Sequence, residues 1–364
     1  MKIVHTEASL GFGGQEMRIL NEAQGLQKRG HQVTLLCPKH AEIYTIAKNR
    51  GLNVVDLPIG KKRLIGLWQL YRWLLLNKPD VVNTHSSTDS WLTALASVFL
   101  PSPPALVRTR HISAAISQSR LSRWLYTKAS KHIVTTGENL RQTLIEVNGY
   151  PAEQITSIRT GIDLNRFKPN DKQTARLSVG LDSNKTVIGI VATLRSWKGH
   201  RYLLEAFAKL ANRQQLQLVM VGDGPQWEAL QEQVNSLGLS DSVIFAGRQD
   251  NVETWLQALD IFCLPSYANE GVPQALMQSQ ACGIPAITTL VGSINEAVIP
   301  NQTALIVEPE DSQAITNALT ILINDLSLRQ QMGNQAYQFA EQRFSDIAML
   351  DAMERVFINA STQD

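Results

Sequence analysis

Short runs of β-branched and apolar residues recur along the chain, each followed by a stretch of helical periodicity. This alternation is the signature of βα units that build parallel sheets. In the first half the runs are Lys2–His5, Val33–Cys37, Val54–Leu57, Asp80–His85, Leu106–Arg110 and Ile133–Thr136, with helical patterns such as Gln15–Lys28 and Leu64–Leu76 between them. A second series comprises Thr186–Leu194, Gln217–Val221, Val243–Ala246, Ile261–Pro265, Ala286–Thr289 and Leu305–Val307, with helical stretches His200–Ala211, Gln226–Leu237 and Asp311–Ile323. A chain of 364 residues exceeds one compact core. The two series therefore predict an α/β protein of two Rossmann-like, doubly wound parallel-sheet domains, residues 1–165 and 166–345. The polar stretch TGIDLNRFKPNDKQTARLSVGLDSN, with Gly161 and Pro169, reads as the hinge between them. Apolar residues at helical spacing in the tail (Ile347, Leu350, Met353, Val356, Phe357) predict a last helix, about residues 346–360, that packs back on the first domain. Two such domains facing each other would form an interdomain cleft at the carboxyl ends of their strands, where doubly wound sheets take ligands.

Charge divides the chain more sharply than its net value of +2 suggests. Residues 1–170 hold 22 Lys and Arg against 11 Asp and Glu, and the remainder 12 against 21. A basic half joined to an acidic half points to an anionic partner for the first, either a membrane surface or a lipid-linked acceptor. Drift in a solvated surface is the plainer explanation of the same counts. Nucleic acid is disfavoured, because the basic residues lack interleaved aromatic platforms. Three cysteines (Cys37, Cys263, Cys282) in no paired spacing argue against a disulfide framework or zinc site and fit a reducing cytoplasm. MKIVHTE reads as a strand, not a signal peptide, and Leu64–Leu76 carries Gln69 and Arg72 and is too short to span a bilayer.

Four segments carry candidate chemistry. Gly11-Phe12-Gly13-Gly14 follows the first strand and opens a helix, so its backbone N–H groups would meet phosphate at the positive end of a helix dipole. A tight turn needing positive φ would use the same glycines equally well. No GxGxxG spacing is present, which disfavours a nicotinamide site. Arg195-Ser196-Trp197-Lys198-Gly199-His200 sets two cations beside a helix start, an arrangement suited to a diphosphate. Gly222-Asp223-Gly224-Pro225 turns the chain at a strand end, and a simple turn explains it best. The fourth segment is the most specific. It runs Leu264-Pro265-Ser266-Tyr267-Ala268-Asn269-Glu270-Gly271-Val272-Pro273, continues through Gln278, and ends Gly283-Ile284-Pro285. A strand ends in Pro-Ser, a carboxylate stands at a helix entrance, and the helix stops at Gly-Ile-Pro before the next strand.

At this segment the chain resembles the retaining glycosyltransferases of the GT-B fold, specifically glycosyltransferase family four. The resemblance extends to the Gly-Gly turn, Thr160–Asp163 with Phe167, the Lys198-Gly199 pair, Gly222–Pro225, Val243 to Gly247 and the last helix. It implies that Glu270 hydrogen-bonds hydroxyls of a donor sugar, while backbone at Gly271 and Val272 and the Ser266 turn help hold the diphosphate. Lys198, with Arg195 nearby, would neutralise that diphosphate. Backbone of Gly13 and Gly14 would reach the same phosphates, Gly222 would line the site, and Arg248–Val252 would meet the base. His111, in Arg108-Thr109-Arg110-His111, takes the place of the family's histidine near the sugar, although a core or surface histidine is the plainer alternative. Two departures stand out. The family's second glutamate is Gln278 here, which keeps hydrogen bonds to a ribose but loses the carboxylate's charge. The family's arginine position, five residues before the lysine, is Thr193.

The resemblance implies transfer of a sugar from a UDP- or GDP-sugar with retention of configuration, without a further cofactor. The chain has no Asp-x-Asp to clamp a donor-bound metal, so no metal is expected. The implied acceptor is a glycan or lipid-linked glycan of lipopolysaccharide or another cell-envelope product. The implied location is the cytoplasm, with peripheral attachment at the anionic inner membrane face. A nucleotide-sugar epimerase, an inverting transferase of the same fold, and a catalytically silent sugar-nucleotide-binding protein remain open alternatives.

Overall fold

The computed structural model describes residues 1–111, 116–268 and 270–362, so Asn269 of the Glu270 segment lies outside the described residues. The chain divides into two compact units. One is Met1–Gly161 together with Ile347–Asp364; the other is Ile162–Asp346.

The first unit is built on seven parallel strands: β1 (Lys2–Thr6), β2 (Gln32–Cys37), β3 (Asn53–Asp56), β4 (Val81–Thr84), β5 (Ala105–Arg110), β6 (His132–Thr135) and β7 (Ile155–Ser157), ordered β3-β2-β1-β4-β5-β6-β7. Chain order reverses between β1 and β4, the switch point of a doubly wound sheet. Side chains alternate between two cores, as a pleated strand requires. Ile3, Val33, Leu35, Val81 and Val107 face one; Val4, Leu36, Val82 and Leu106 face the other. The first core also takes Ile19, Leu20, Ala23 and Leu26 of the helix Gly14–Lys28 and Met349, Leu350, Met353, Val356 and Phe357 of the helix Asp346–Thr362. Ile347, read from the sequence as part of that apolar stripe, is instead exposed, and Met349 takes its place in the core.

The second unit holds six parallel strands: β8 (Thr186–Val191), β9 (Leu216–Val221), β10 (Val243–Gly247), β11 (Ile261–Leu264), β12 (Ala286–Thr288) and β13 (Ala304–Ile306), ordered β10-β9-β8-β11-β12-β13. β9 and β11 are buried along their whole length, which is why β11 reads as an unbroken apolar run and β9 as one broken only by Gln217.

Two sequence readings are corrected. β7 was not foreseen, because ITS has three residues and no apolar alternation. The unit boundary, Gly161 to Ile162, falls inside the polar stretch read as the hinge, and beyond it the stretch is folded into the second unit. It contains the helix Lys172–Ser178, capped by Asp171 accepting from Thr174 N at 2.8 Å. Phe167, Ala175 and Leu181 of this stretch sit in the second core. Its polarity misled because the charges are paired inside. Lys172 Nζ donates to Asp260 Oδ1 at 2.8 Å, Arg176 pairs with Asp260 Oδ2, and Val187 N donates to the same carboxylate at 2.8 Å.

Candidate functional site

In the second unit the chain ends of β8, β11 and β12 gather the residues singled out by sequence. β11 ends at Leu264, and Pro265-Ser266 turns the chain so that Glu270 comes back beneath it, 3% exposed. A buried carboxylate needs partners. Glu270 accepts from Lys198 Nζ at 2.7 and 3.0 Å and from Ser266 Oγ at 2.6 Å. Ser266 is in turn held by Thr289, whose Oγ1 donates to Ser266 O at 2.6 Å.

Glycines make this closeness possible. Gly199, after Lys198, has φ +79°, and a Cβ there would lie 2.1 Å from Pro265 O. Gly292 has φ +64°, and a Cβ there would meet Glu270 O at 2.1 Å. No L side chain fits either place.

The remaining expected donor residues surround this cluster unequally. Arg195 is exposed, with its guanidinium 5.5 Å from the Trp197 ring centroid. Gly222 serves the turn: at φ +140°, a Cβ would strike Ala192 O at 2.1 Å. That turn clasps the segment carrying Arg195 through Leu194 N to Asp223 O at 2.8 Å and Gln226 N to Leu194 O at 3.0 Å. Arg248 is exposed after Gly247, and half-buried Val252 opens the helix Val252–Gln257. Their loop is braced by Arg166, which donates to Asp250 O at 2.7 Å and Glu253 Oε2 at 2.6 Å. Gly271 and Val272 are half-buried just before the helix Gln274–Ala281. Gln278, on that helix, is half-buried too.

In the first unit the helix Gly14–Lys28 does start at the glycine turn. None of Gly11, Gly13 and Gly14 has positive φ, so a left-handed turn is not their reason. Gly13 N already donates to Glu16 Oε2 at 2.8 Å, so the helix start carries a carboxylate of its own. Burial pushes the Glu16 carboxyl above its ordinary range.

His111 stands half-buried after β5, its Nε2 2.9 Å from His85 Nδ1, and His85 Nε2 lies 2.9 Å from His5 Nδ1. Neither His5 nor His85 was singled out from sequence. The signal was present, since the runs read as strands one and four both end in histidine, and a doubly wound order sets β4 between β1 and β5. Beside this file lie two buried carboxyls that were also missed. Asp89 accepts from Thr6 Oγ1 at 2.6 Å and His85 N at 3.0 Å. Glu7 is pushed up to about 8, by burial first and then by the charge of Asp89.

Among the described residues no group of three or more His, Cys, Asp or Glu is placed to hold a metal ion, and all three cysteines are buried and unpaired. No helix of the described residues is long and apolar enough to cross a membrane.

Two family models match the chain. One, described as Glycosyltransferase Family 4, covers residues 12–166, and the other, Glycosyl transferases group 1, covers residues 171–339. D-inositol 3-phosphate glycosyltransferase of Corynebacterium jeikeium is 32% identical over 95% of this chain and 91% of its own. N-acetyl-alpha-D-glucosaminyl L-malate synthase of Bacillus anthracis is 26% identical over 59% of this chain, and the match spans 56% of the synthase's length. A crystal structure of Anabaena HepE in complex with UDP-glucose superposes with a TM-score of 0.87 at 21% identity, covering 99% of this chain and 100% of that one. At that identity the likeness concerns the fold.

Proposed function

We propose that this chain, which belongs to the group 1 glycosyl transferases of family 4 type, moves a sugar from a nucleotide-diphosphate donor to an acceptor with retention of configuration and without a metal ion. The observation that carries this reading is the cluster of half-buried Lys198 with buried Glu270 and Ser266 at the strand ends of the second unit. A lysine locked onto a carboxylate by two contacts presents cation and anion side by side, the cation for a diphosphate and the carboxylate for sugar hydroxyls.

The chemistry needs charge stabilisation where the leaving diphosphate forms. Lys198, Arg195 and backbone N–H groups at Gly271 and Val272 supply it, each oriented donor worth roughly 3 kcal/mol of barrier. Glu270 orients the sugar through its hydroxyls, and Ser266 fixes the carboxylate so that it does not turn away. Arg248–Val252 meets the base, and Gln278 meets the ribose as a neutral partner. The resemblance also assigns Gly13 and Gly14 to phosphate and His111 to sugar.

The donor is a UDP- or GDP-sugar. UDP-glucose heads the panel, because HepE, of the same fold, was crystallised with it. The acceptor is a glycan or lipid-linked glycan of the cell envelope, lipopolysaccharide included, taken at the cytoplasmic face of the inner membrane. Support for that place comes from the helix Leu64–Asn77. It buries Gly66, Leu70 and Leu74, exposes Leu64, Ile65 and Trp68 at the end that follows exposed Lys61, Lys62 and Arg63, and exposes Leu76 at its far end. An apolar stripe flanked by cations suits an anionic lipid surface.

The test is a transfer assay over a panel of UDP- and GDP-sugars, guided by thermal shift, with the anomer of the product read by NMR. Retained configuration with one donor supports the reading. Inverted product overturns retention, and turnover of donor without any acceptor points to an epimerase.

A further inference from the structure

Three adjacent strands of the first unit end in histidines whose rings form one file. His5 belongs to β1, His85 follows β4 and His111 follows β5. His5 Nδ1 is 2.9 Å from His85 Nε2, and His85 Nδ1 is 2.9 Å from His111 Nε2. A neutral imidazole has one N–H and one lone pair, so the direction of one link dictates the direction of the next. Only two arrangements exist, with every proton pointing toward His111 or every proton pointing toward His5.

The surroundings keep the file neutral. Burial, then the Arg18 charge, holds His5 down to about 3. Burial first, then the cost of a second charge beside His111 and His5 and the Arg18 and Arg108 charges, holds His85 well below the ordinary histidine range. His111 is lowered in the same way by burial and then by Arg18, Arg110 and Arg108. The charged groups facing the file are thus Arg18 from the helix Gly14–Lys28, Arg108 and Arg110 from β5, and Asp89, which accepts from His85 N.

The far end of the file decides its direction. His5 Nε2 is buried without a hydrogen-bond partner, near the edge of the Phe357 ring. Protein interiors rarely strand an N–H and tolerate an unfilled acceptor better.

We propose that His5 and His85 are positioning residues that set the tautomer of His111. His5 Nδ1–H donates to His85 Nε2, His85 Nδ1–H donates to His111 Nε2, and His111 carries its proton on Nδ1. His111 then offers a hydrogen-bond donor at its free edge and has no lone pair there to act as a base. A ring so fixed can hold a sugar oxygen in one orientation. The consequence for rate rests on the reading of His111 as a transfer-site residue; the tautomer does not.

The experiment is two-dimensional long-range proton–nitrogen NMR on the full chain labelled with nitrogen-15 histidine, at about pH 7 where the rings are neutral. The expected spectrum shows His111 with a protonated Nδ1 and an unprotonated Nε2. A proton on His111 Nε2 overturns the proposal without any variant being needed. His5→Asp replaces the terminal donor with an acceptor, so His85 should donate from Nε2 and His111 should carry its proton on Nε2. Donor KM should then stay within about twofold while kcat falls about tenfold, the size of one lost neutral hydrogen bond. His5→Asn returns an amide N–H near the Nδ1 position and should restore both readings. A folded His5→Asp protein with an unchanged His111 tautomer also overturns the proposal. A shifted tautomer with unchanged rate sustains the file and removes His111 from the transfer reaction.

Discussion

Half-buried Lys198 is the charge that lets Glu270 stay buried, and so neither can be removed quietly. Glu270→Ala or Lys198→Ala should lower kcat/KM by at least about a hundredfold, the loss typical of one preorganised charge-stabilising group. Circular dichroism should be unchanged, and turnover close to that of the unaltered protein in either variant would remove the cluster from the chemistry. Gly199→Ala should act through geometry instead. Its Cβ would press on Pro265 O, so the Lys198 backbone must shift, and donor affinity should fall while both charged groups remain. Most of this was legible in the sequence, because Glu270, Ser266 and Lys198 sit in motifs whose order along the chain is itself informative. Gly292 and Thr289 were not, since their roles depend on a strand neighbour that only the folded sheet supplies. The histidine file was half legible: its members end three recognisable strands, but contact between them depends on strand order.

At the level of elements, regular periodicity was read well and dense polarity was not. The helix Leu64–Asn77 was visible from its apolar spacing, yet the same spacing hid that it has two apolar faces. Reversing Lys61, Lys62 and Arg63 to Glu should weaken binding to anionic liposomes by about 1 kcal/mol per residue, measured by flotation at low salt. Equal flotation of the variant and the unaltered protein would end the membrane reading. The helix Lys172–Ser178 shows the opposite failure, its buried charges having passed for a solvated linker. Burial raises the Asp260 carboxyl, but Lys172, Val187 N and Arg176 outweigh it, and the net effect is a lowered pKa. A depressed carboxyl contributes stability above its unfolded value near 3.9, lost as pH falls through the folded one. Asp260→Asn should therefore cost about 3 kcal/mol at neutral pH, the effect of breaking a buried pair, with a smaller difference in strong acid. Urea unfolding of both proteins at the two pH values measures it.

For the molecule as a whole, the first unit should have a narrow pH range of stability. Glu7, pushed up to about 8, keeps its proton when folded and releases it when unfolded, so its contribution is complete in acid and is lost as pH rises toward 8. His5, held down to about 3, has the opposite effect: below about 6.5 the unfolded ring takes a proton that the folded ring refuses. Protection of the first sheet's amides, corrected for intrinsic exchange, should be greatest between about pH 4.5 and 6.5, and Glu7→Gln should flatten the alkaline side. An unchanged alkaline slope in that variant would dismiss Glu7 as its source. Turnover should also survive EDTA, since Lys198 and Arg195 take the part that a metal would play; strict dependence on a divalent ion would contradict the leaving-group account.

The helix Asp346–Thr362 completes the core of a unit whose sheet is otherwise made of residues up to Gly161. On the ribosome, the half translated first therefore waits for the half translated second. At about 5–20 residues per second that wait lasts on the order of 10–40 s. During it, Ile19, Leu20 and Ala23 lack their final cover, so a chaperone has its longest opportunity on the first unit, while the second can close as soon as its own strands emerge.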